Sequence, residues 1–184
     1  DELGIARSEK VVLFFGFIRE YKGLDLLIKA MADEAVRKLG VKLLVGGEFY
    51  SKPDNYYRLA EENRLQDKII WHTDFIPNKR VRYYFSAADL VVQPYKSATQ
   101  SGVTQVAYHF LKPMVVTNVG GLPEMVSDGK AGYVVNPDSG EIAAAIRDFF
   151  ENKREAALID TLKTEKKRFS WERFVKNILA TASN

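Results

Sequence analysis

The stretch VVLFFGFIREYKGLDLLIKAM, residues 11–31, decides the fold of this chain. It begins with an uninterrupted apolar run of the kind that parallel strands show when both of their faces are buried. A short loop with two glycines and two cationic residues follows, and then a helical face made by Leu24, Leu27, Ile28 and Met31. This order predicts a strand, a loop and a helix that packs back onto the sheet.

The same alternation of short apolar runs and longer helical segments recurs along the chain. It predicts six strands: Val11–Gly16, Lys42–Gly46, Lys68–Trp71, Leu90–Gln93, Met114–Thr117 and Gly132–Val135. Later helices are predicted at Asn55–Asn63, Lys79–Ala87, Gly102–Phe110 and Pro123–Val126. This pattern favours an α/β fold with a doubly wound, six-stranded parallel sheet. Three further C-terminal helices are predicted at Glu141–Phe150, Glu155–Arg168 and Trp171–Leu179.

The composition predicts one folded domain over residues 1–184, because 46% hydrophobic residues in a chain of this length supply one well-buried core. The net charge of +3 is scattered, and the small cluster Lys79, Arg80 and Arg82 is typical of a solvated helix face, with an anionic surface as the alternative. No nucleic-acid partner is expected. The absence of cysteine excludes disulfides and thiolate metal sites and fits a cytoplasmic setting. The longest apolar run, Val11–Ile18, is shorter than the roughly 20 residues that cross a bilayer.

The loop after the first strand is the first candidate binding site. Ligands of open parallel sheets bind beyond the carboxyl ends of the strands, where loops meet the N-termini of helices. Gly16 lets the backbone approach a ligand closely, and Arg19 and Lys22 are cationic donors suited to phosphate. Because the loop matches neither a Walker loop nor a dinucleotide fingerprint, an ordinary strand-to-helix turn is the alternative.

The loop after the fourth strand, Pro94–Val103, is the second candidate. It is rich in small hydroxyl residues, so Thr99 or Ser101 is expected to cap the following helix. The amides of that helix's first turn would form an anion site, although capping alone also explains the composition. Two glycine pairs, Gly46-Gly47 before Glu48 and Gly120-Gly121 before Glu124, fall at the same predicted sheet edge, with turn formation as the alternative.

Several other residues are assigned structural roles. His72 and His109 lack the spacing of metal ligands. Asp89 directly precedes a strand and is expected to have a structural role. Two aromatic groups are expected in the core, the pair Tyr56-Tyr57 and the triplet Tyr83-Tyr84-Phe85.

Six ordered motifs carry a resemblance to a known family. They are Gly16 with Tyr21-Lys22-Gly23; Val45-Gly46-Gly47; Ala87-Ala88-Asp89-Leu90-Val91-Val92 before Pro94; Lys112-Pro113-Met-Val-Val-Thr117; Val119-Gly120-Gly121-Leu-Pro-Glu124; and Asp128-Gly129 leading to Gly132. From about Val11 to Phe150 the sequence resembles the C-terminal domain of retaining GT-B glycosyltransferases of family four. The resemblance implies one Rossmann-like half of a GT-B fold.

The resemblance also implies which residues bind a nucleotide-sugar donor. It places the diphosphate at Gly16, Arg19, Lys22, Thr99, Gln100, Ser101, Gly102 and Val103, with Lys22 as the lysine that grips it. The family's arginine after the first glycine corresponds to Phe17, so Arg19 is its candidate substitute. The base and ribose pocket maps onto Gly46, Gly47, Glu48, Phe75, Ile76, Gln105 and Val106, while Gly120, Gly121 and Glu124 lie in loops near the donor. No residue of this chain is assigned a catalytic role.

One departure from the family concerns two glutamates, eight residues apart, that hold donor sugar and ribose hydroxyls. They align with Ala98 and Val106, so both carboxylates are missing. Gln105 is adjacent to the second position, but a neutral amide is a weaker anchor. Without these two carboxylates the donor sugar and ribose lose two anchors, which puts the geometry of the bound donor and the activity in question.

The resemblance thus implies a domain that binds a nucleotide-diphosphate sugar for transfer, with retention, to a glycan or lipid-linked acceptor, as in polysaccharide biosynthesis. No cofactor or metal is implied. The family's N-terminal domain supplies the acceptor site and is the expected partner, so this fragment alone is expected to be inactive and to meet the inner membrane face only through the longer protein. The alternative is a nucleotide-binding or interaction domain that has lost catalysis. A phosphoacceptor receiver on a similar sheet is disfavoured, because no acidic cluster follows the first strand and that loop is cationic instead.

Overall fold

The structure is a computed structural model that describes residues 2–50 and 52–169. Its strands are β1 (Val11–Phe15), β2 (Lys42–Gly46), β3 (Ile69–His72), β4 (Leu90–Gln93), β5 (Met114–Thr117) and β6 (Gly132–Val135). Its helices are α1 (Leu24–Met31), α2 (Glu34–Lys38), α3 (Asp54–Glu62), α4 (Asn78–Ala87), α5 (Gly102–His109), α6 (Leu122–Met125), α7 (Ser139–Glu151) and α8 (Glu155–Glu165). Short 3-10 helices span Glu20–Lys22 and Lys166–Phe169.

The six strands form one parallel sheet in the order β3-β2-β1-β4-β5-β6. The chain winds outward from β1 to β3, returns to place β4 beside β1, and then winds the other way to β6. The predicted doubly wound α/β fold is confirmed. The carboxyl ends of β1 and β4 lie side by side where the winding reverses, which is where such sheets bind ligands.

Side chains that alternate along β1 explain why helices cover both faces of the sheet. Val12 and Phe14 join a buried cluster with α1 and α7, whereas Val11 and Leu13 join a second cluster with α4 and α5. The predicted face of α1 is buried in the first cluster. The stretch quoted at the outset therefore forms a strand and a helix that anchor one whole layer of the fold.

The structure differs from the sequence-based prediction at a few boundaries. The segment between β1 and β2 holds two helices, because the side chain of Asp33 accepts hydrogen bonds from the amides of Ala35 and Val36 and begins α2. Strand β1 ends one residue earlier than predicted, since Gly16 adopts a φ of +100°. The helix predicted over Glu155–Arg168 ends at Glu165, and the one predicted over Trp171–Leu179 lies outside the described residues.

Asp89 has the structural role predicted for it. Its carboxylate accepts a hydrogen bond from the Val11 amide at 2.7 Å and so ties the beginning of β1 to that of β4. Burial raises the pKa of Asp89, an effect that this hydrogen bond partly offsets. Tyr56, Tyr84 and Phe85 are buried as expected.

The prediction of a core position is wrong for Tyr57, which is exposed because its ring meets the Trp71 ring edge to face at the surface. Tyr83 is only partly buried. The described helices also include none whose length and apolar character would let it cross a membrane.

Candidate functional site

The loop after β1 is held in place by the loops after β2 and β4. Ile18 pairs with Phe49 in a short parallel bridge, and the Gly16 amide donates to the Gly46 carbonyl at 2.8 Å. A Cβ atom on Gly23 would lie 1.9 Å from the carbonyl oxygen of Pro94, so only glycine fits at this approach. These contacts fix the loop that carries Lys22 against β4.

Glycines in the loops after β2 and β5 lie at the same edge of the sheet. A Cβ atom on Gly47 would lie 2.2 Å from the Gly16 carbonyl oxygen, and one on Gly120 would lie 1.6 Å from that of Ala98. The Gly121 amide donates to the Thr99 carbonyl at 2.9 Å. All four loops singled out in the sequence therefore meet at the carboxyl edge of the sheet.

A cleft of about 650 Å³ opens between the loops after β1 and β4. Its walls are formed by Gly16, Phe17, Tyr21, Lys22, Tyr95, Ser97, Ala98, Thr99, Gln100, Ser101, Gly102 and Val103. The structure thus brings together seven of the eight residues assigned to the diphosphate. Arg19, the eighth, is not part of the lining.

Lys22 places its ammonium group in this cleft. A Cβ atom on Gly16 would lie 3.1 Å from the Lys22 nitrogen and 3.6 Å from a Val103 methyl group, so the ammonium lies close to the first turn of α5. Burial lowers the pKa of Lys22, and the nearby positive charge of Arg19 lowers it further. Among the described residues no carboxylate forms an ion pair with it. A half-buried, unpaired cation of this kind favours an anionic ligand.

The N-terminus of α5 faces the same cleft. Ser101 occupies the N-cap position, but within the described chain its side chain caps no amide of the helix. Its hydroxyl lies instead 3.2 Å from the hydroxyl of Tyr95. The predicted cap by Thr99 or Ser101 is therefore wrong, because a buried tyrosine takes the serine hydroxyl that would have capped the helix.

Arg19 lies outside the lining of the cleft, on two exposed aromatic rings. Its guanidinium carbon is 4.1 Å from the centre of the Tyr50 ring and 6.0 Å from that of Phe17. Tyr50 and Phe17 are 66% and 48% exposed, while the Arg19 Nε is buried and has no hydrogen-bond partner among the described residues. The arginine is thus held by stacking on aromatic rings.

The residues assigned to the base and ribose are spread over several surfaces. Phe75 and Ile76 line a smaller cavity of about 220 Å³ together with Glu2, Trp71, His72, Asp74, Arg80 and Tyr84. The backbone of Gly46 lies against the Tyr84 ring at the end of β2. Gln105 is exposed and Glu48 is partly exposed, and Glu124, which the resemblance places in a loop near the donor, is exposed as well. The structure does not bring these last three to either cavity.

Sequence reasoning missed two pairs that the folded chain creates. Tyr95 lines the main cleft, with its ring centre 5.5 Å from the Lys22 nitrogen. His72 makes a hydrogen bond of 3.1 Å with the Tyr84 hydroxyl, and burial, followed by the charge of Arg80, lowers the pKa of His72. The only sequence signal was that Tyr95 follows β4 closely and that His72 ends β3.

A family model described as Glycosyl transferases group 1 matches residues 9–152. The chain belongs to this family. The D-inositol 3-phosphate glycosyltransferase of Segniliparus rotundus is 34% identical over 98% of this chain and 41% of its own length. The chain therefore spans about two fifths of the length of this curated relative.

Solved structures of other proteins share the fold of this family member. Sucrose-phosphate synthase (tll1590) from Thermosynechococcus elongatus aligns with a TM-score of 0.81 at 23% identity, over 99% of this chain and 47% of the other. Anabaena Alr3699/HepE in complex with UDP aligns with a TM-score of 0.79 at 22% identity, over 95% of this chain and 49% of the other. These likenesses confirm the Rossmann-like fold that the motifs implied.

In this glycosyl transferase group 1 chain, the two positions predicted to correspond to family glutamates are apolar and packed. Val106 is half-buried against the hydrophobic cluster under α4 and α5. Ala98 is half-buried in the same cluster, and its carbonyl is covered by Gly120. Next to them, Thr104 donates a hydrogen bond to the buried Gln93 side chain at 3.1 Å. No carboxylate stands at either position.

Proposed function

We propose that this chain is the donor-binding domain of a glycosyltransferase that moves a sugar from a nucleoside diphosphate to a glycan or lipid-linked acceptor with retention. The observation that carries the proposal is the meeting of the Lys22 ammonium, the Gly16 backbone and the first turn of α5 in one cleft. A diphosphate bears the negative charge that this arrangement favours.

The same groups suit the chemistry of the donor. Breaking the bond between the sugar and the distal phosphate leaves negative charge on a phosphate oxygen, and a cation with helix amides stabilises that charge. Lys22 and the N-terminus of α5 supply both, so we propose that donor binding needs no metal or other cofactor. UDP is the first nucleotide to test, because a structural neighbour is described in complex with it.

The proposal includes a second domain. The chain spans 41% of the D-inositol 3-phosphate glycosyltransferase that it matches, which supports a longer protein with an N-terminal domain that provides the acceptor site and the catalytic group. We place this protein in the cytoplasm, in keeping with a sequence without cysteine. Any contact with the inner membrane face then belongs to the longer protein.

A second candidate function is nucleotide binding without transfer. It is favoured by the apolar residues Ala98 and Val106 where the resembled family has carboxylates. Transfer of sugar by the two-domain protein would exclude it, whereas nucleotide binding without any transfer would support it.

Calorimetry with the 184-residue chain tests the binding part of the proposal. We expect UDP or GDP to bind more tightly than UMP or GMP, because the cleft addresses the phosphates, and we expect EDTA to leave that affinity unchanged. Equal affinity for the mono- and diphosphates would contradict the assignment of the cleft. Loss of binding with EDTA would contradict the metal-independent mode.

A further inference from the structure

Ser101 has the backbone of a capping residue without the cap. Its φ of −135° and ψ of 121° are those of an N-cap residue, a position at which a serine hydroxyl normally accepts a hydrogen bond from a helix amide. In the described chain this hydroxyl makes no such bond. Since Ser101 is only 7% exposed, its hydroxyl has little access to water.

Tyr95 accounts for the missing cap. Its hydroxyl lies 3.2 Å from the Ser101 Oγ, and its side chain is 3% exposed. Burial raises the pKa of Tyr95 to about 12, so the phenol keeps its proton at neutral pH. The backbone carbonyl of Tyr95 accepts a hydrogen bond of 2.6 Å from Thr117, which fixes this residue against β5.

The position of the Ser101 hydroxyl decides which amides of α5 are open. The Thr104 amide already donates to the Ser101 carbonyl at 3.2 Å. A capping serine would take the second or third amide of the helix, those of Val103 or Thr104. Val103 lines the cleft beside Lys22, so a cap there would occupy an amide in the helix turn that borders the cleft.

We propose that Tyr95 is a positioning residue that holds the Ser101 hydroxyl away from α5 and so keeps the Val103 amide open for the distal phosphate of the donor. The inference rests on the proposed function, because the diphosphate is its ligand. Tyr95 does not need to touch that ligand. Its ring lies beside Lys22 as well, so removing only the hydroxyl separates the two contributions.

A double-mutant cycle on the 184-residue chain tests the inference with UDP as the ligand. Tyr95→Phe keeps the ring near Lys22 and frees Ser101 to cap. A serine cap is worth about 1 kcal/mol, so we expect UDP affinity to fall about five-fold. With alanine at position 101 the same Tyr95→Phe change is expected to cost less than two-fold, because no hydroxyl is left to compete.

Tyr133→Phe is the matched control. It also removes a phenol hydroxyl, one that donates to Asp148 at 2.8 Å between β6 and α7, and it should leave UDP affinity unchanged. An equal loss from Tyr95→Phe with serine or alanine at position 101 would overturn the inference, as would no loss at all. In either case tight UDP binding by the unaltered chain leaves the proposed function standing.

Hydrogen exchange of the Val103 amide gives a second test that needs no ligand. We expect exchange to slow in Tyr95→Phe, where the serine caps the helix, and to remain fast in Tyr95→Phe with Ser101→Ala. Unchanged exchange in both variants would overturn the inference even where the fold is preserved. If the unaltered chain binds neither UDP nor GDP, the proposed function fails and the role of Tyr95 in donor binding fails with it.

Discussion

Gly16 and Lys22 approach each other so closely that a Cβ atom on the glycine would lie 3.1 Å from the lysine nitrogen. Gly16 also has a φ of +100°, which other residues rarely adopt. We expect Gly16→Ala to lower the free energy of unfolding by about 1–3 kcal/mol through strain. Displacement of the ammonium should also lower UDP affinity about ten-fold, which calorimetry would measure.

Gly40→Ala controls for backbone strain alone. Gly40 has a φ of +69°, and no atom lies within 4 Å of the Cβ that alanine would add. This variant should lose stability and keep its UDP affinity. If both variants bind UDP as the unaltered chain does, the contact between Gly16 and Lys22 has no part in donor binding.

Lys22→Ala should weaken UDP binding by about 1.5–3 kcal/mol, the range of a hydrogen bond to a charged group. Lys29→Ala is the matched control, because Lys29 is an exposed lysine on the nearby helix α1, outside the lining of the cleft. Calorimetry of both variants checks the assignment. Equal affinities for Lys22→Ala and Lys29→Ala would contradict it.

The pH dependence of binding follows from the lowered pKa of Lys22. Burial and the charge of Arg19 favour the neutral amine, while the phosphates require the charged form. UDP affinity should therefore fall as the pH rises through a pKa that lies below the ordinary lysine value of about 10.4. Lys22→Arg keeps its charge in this range and should abolish the alkaline decline; a decline that persists in this variant points to another group.

The sequence predicts the strands well and the site only in outline, for a physical reason. Strands such as Met114–Thr117 are local runs of buried residues, so pattern alone locates them. The approach of Gly23 to Pro94 could be anticipated only as a turn. The pairing of Tyr95 with Ser101 and the stacking of Arg19 on Tyr50 depend on how separate loops fold together, and no local pattern encodes them.

The isolated chain should not turn over a nucleotide sugar. We propose that the acceptor site and the catalytic group belong to a second domain. Closure of the cleft between the two domains would exclude water and orient the acceptor. Release of UDP from UDP-glucose by the 184-residue chain should stay far below the roughly 1 per second typical of slow intact enzymes. Turnover at that level would place catalysis on this chain.

Val106→Glu introduces the carboxylate that the sequence resemblance predicts at this position. Val106 is half-buried and packs on the hydrophobic cluster beneath α5. We therefore expect the new charge to lose water without gaining a partner and to lower the free energy of unfolding by about 1–3 kcal/mol. UDP affinity should not improve. Thermal denaturation and calorimetry on the same sample measure both quantities.

Gln105→Glu separates the effect of burial from the effect of charge. Gln105 is the exposed neighbour of Val106 on the same helix, so a glutamate there keeps its water and should leave the melting temperature nearly unchanged. A stability loss confined to Val106→Glu supports packing as the role of Val106. Tighter UDP binding by Val106→Glu, with little loss of stability, would instead show that this position faces the ribose and that the alignment of the missing carboxylate is functional.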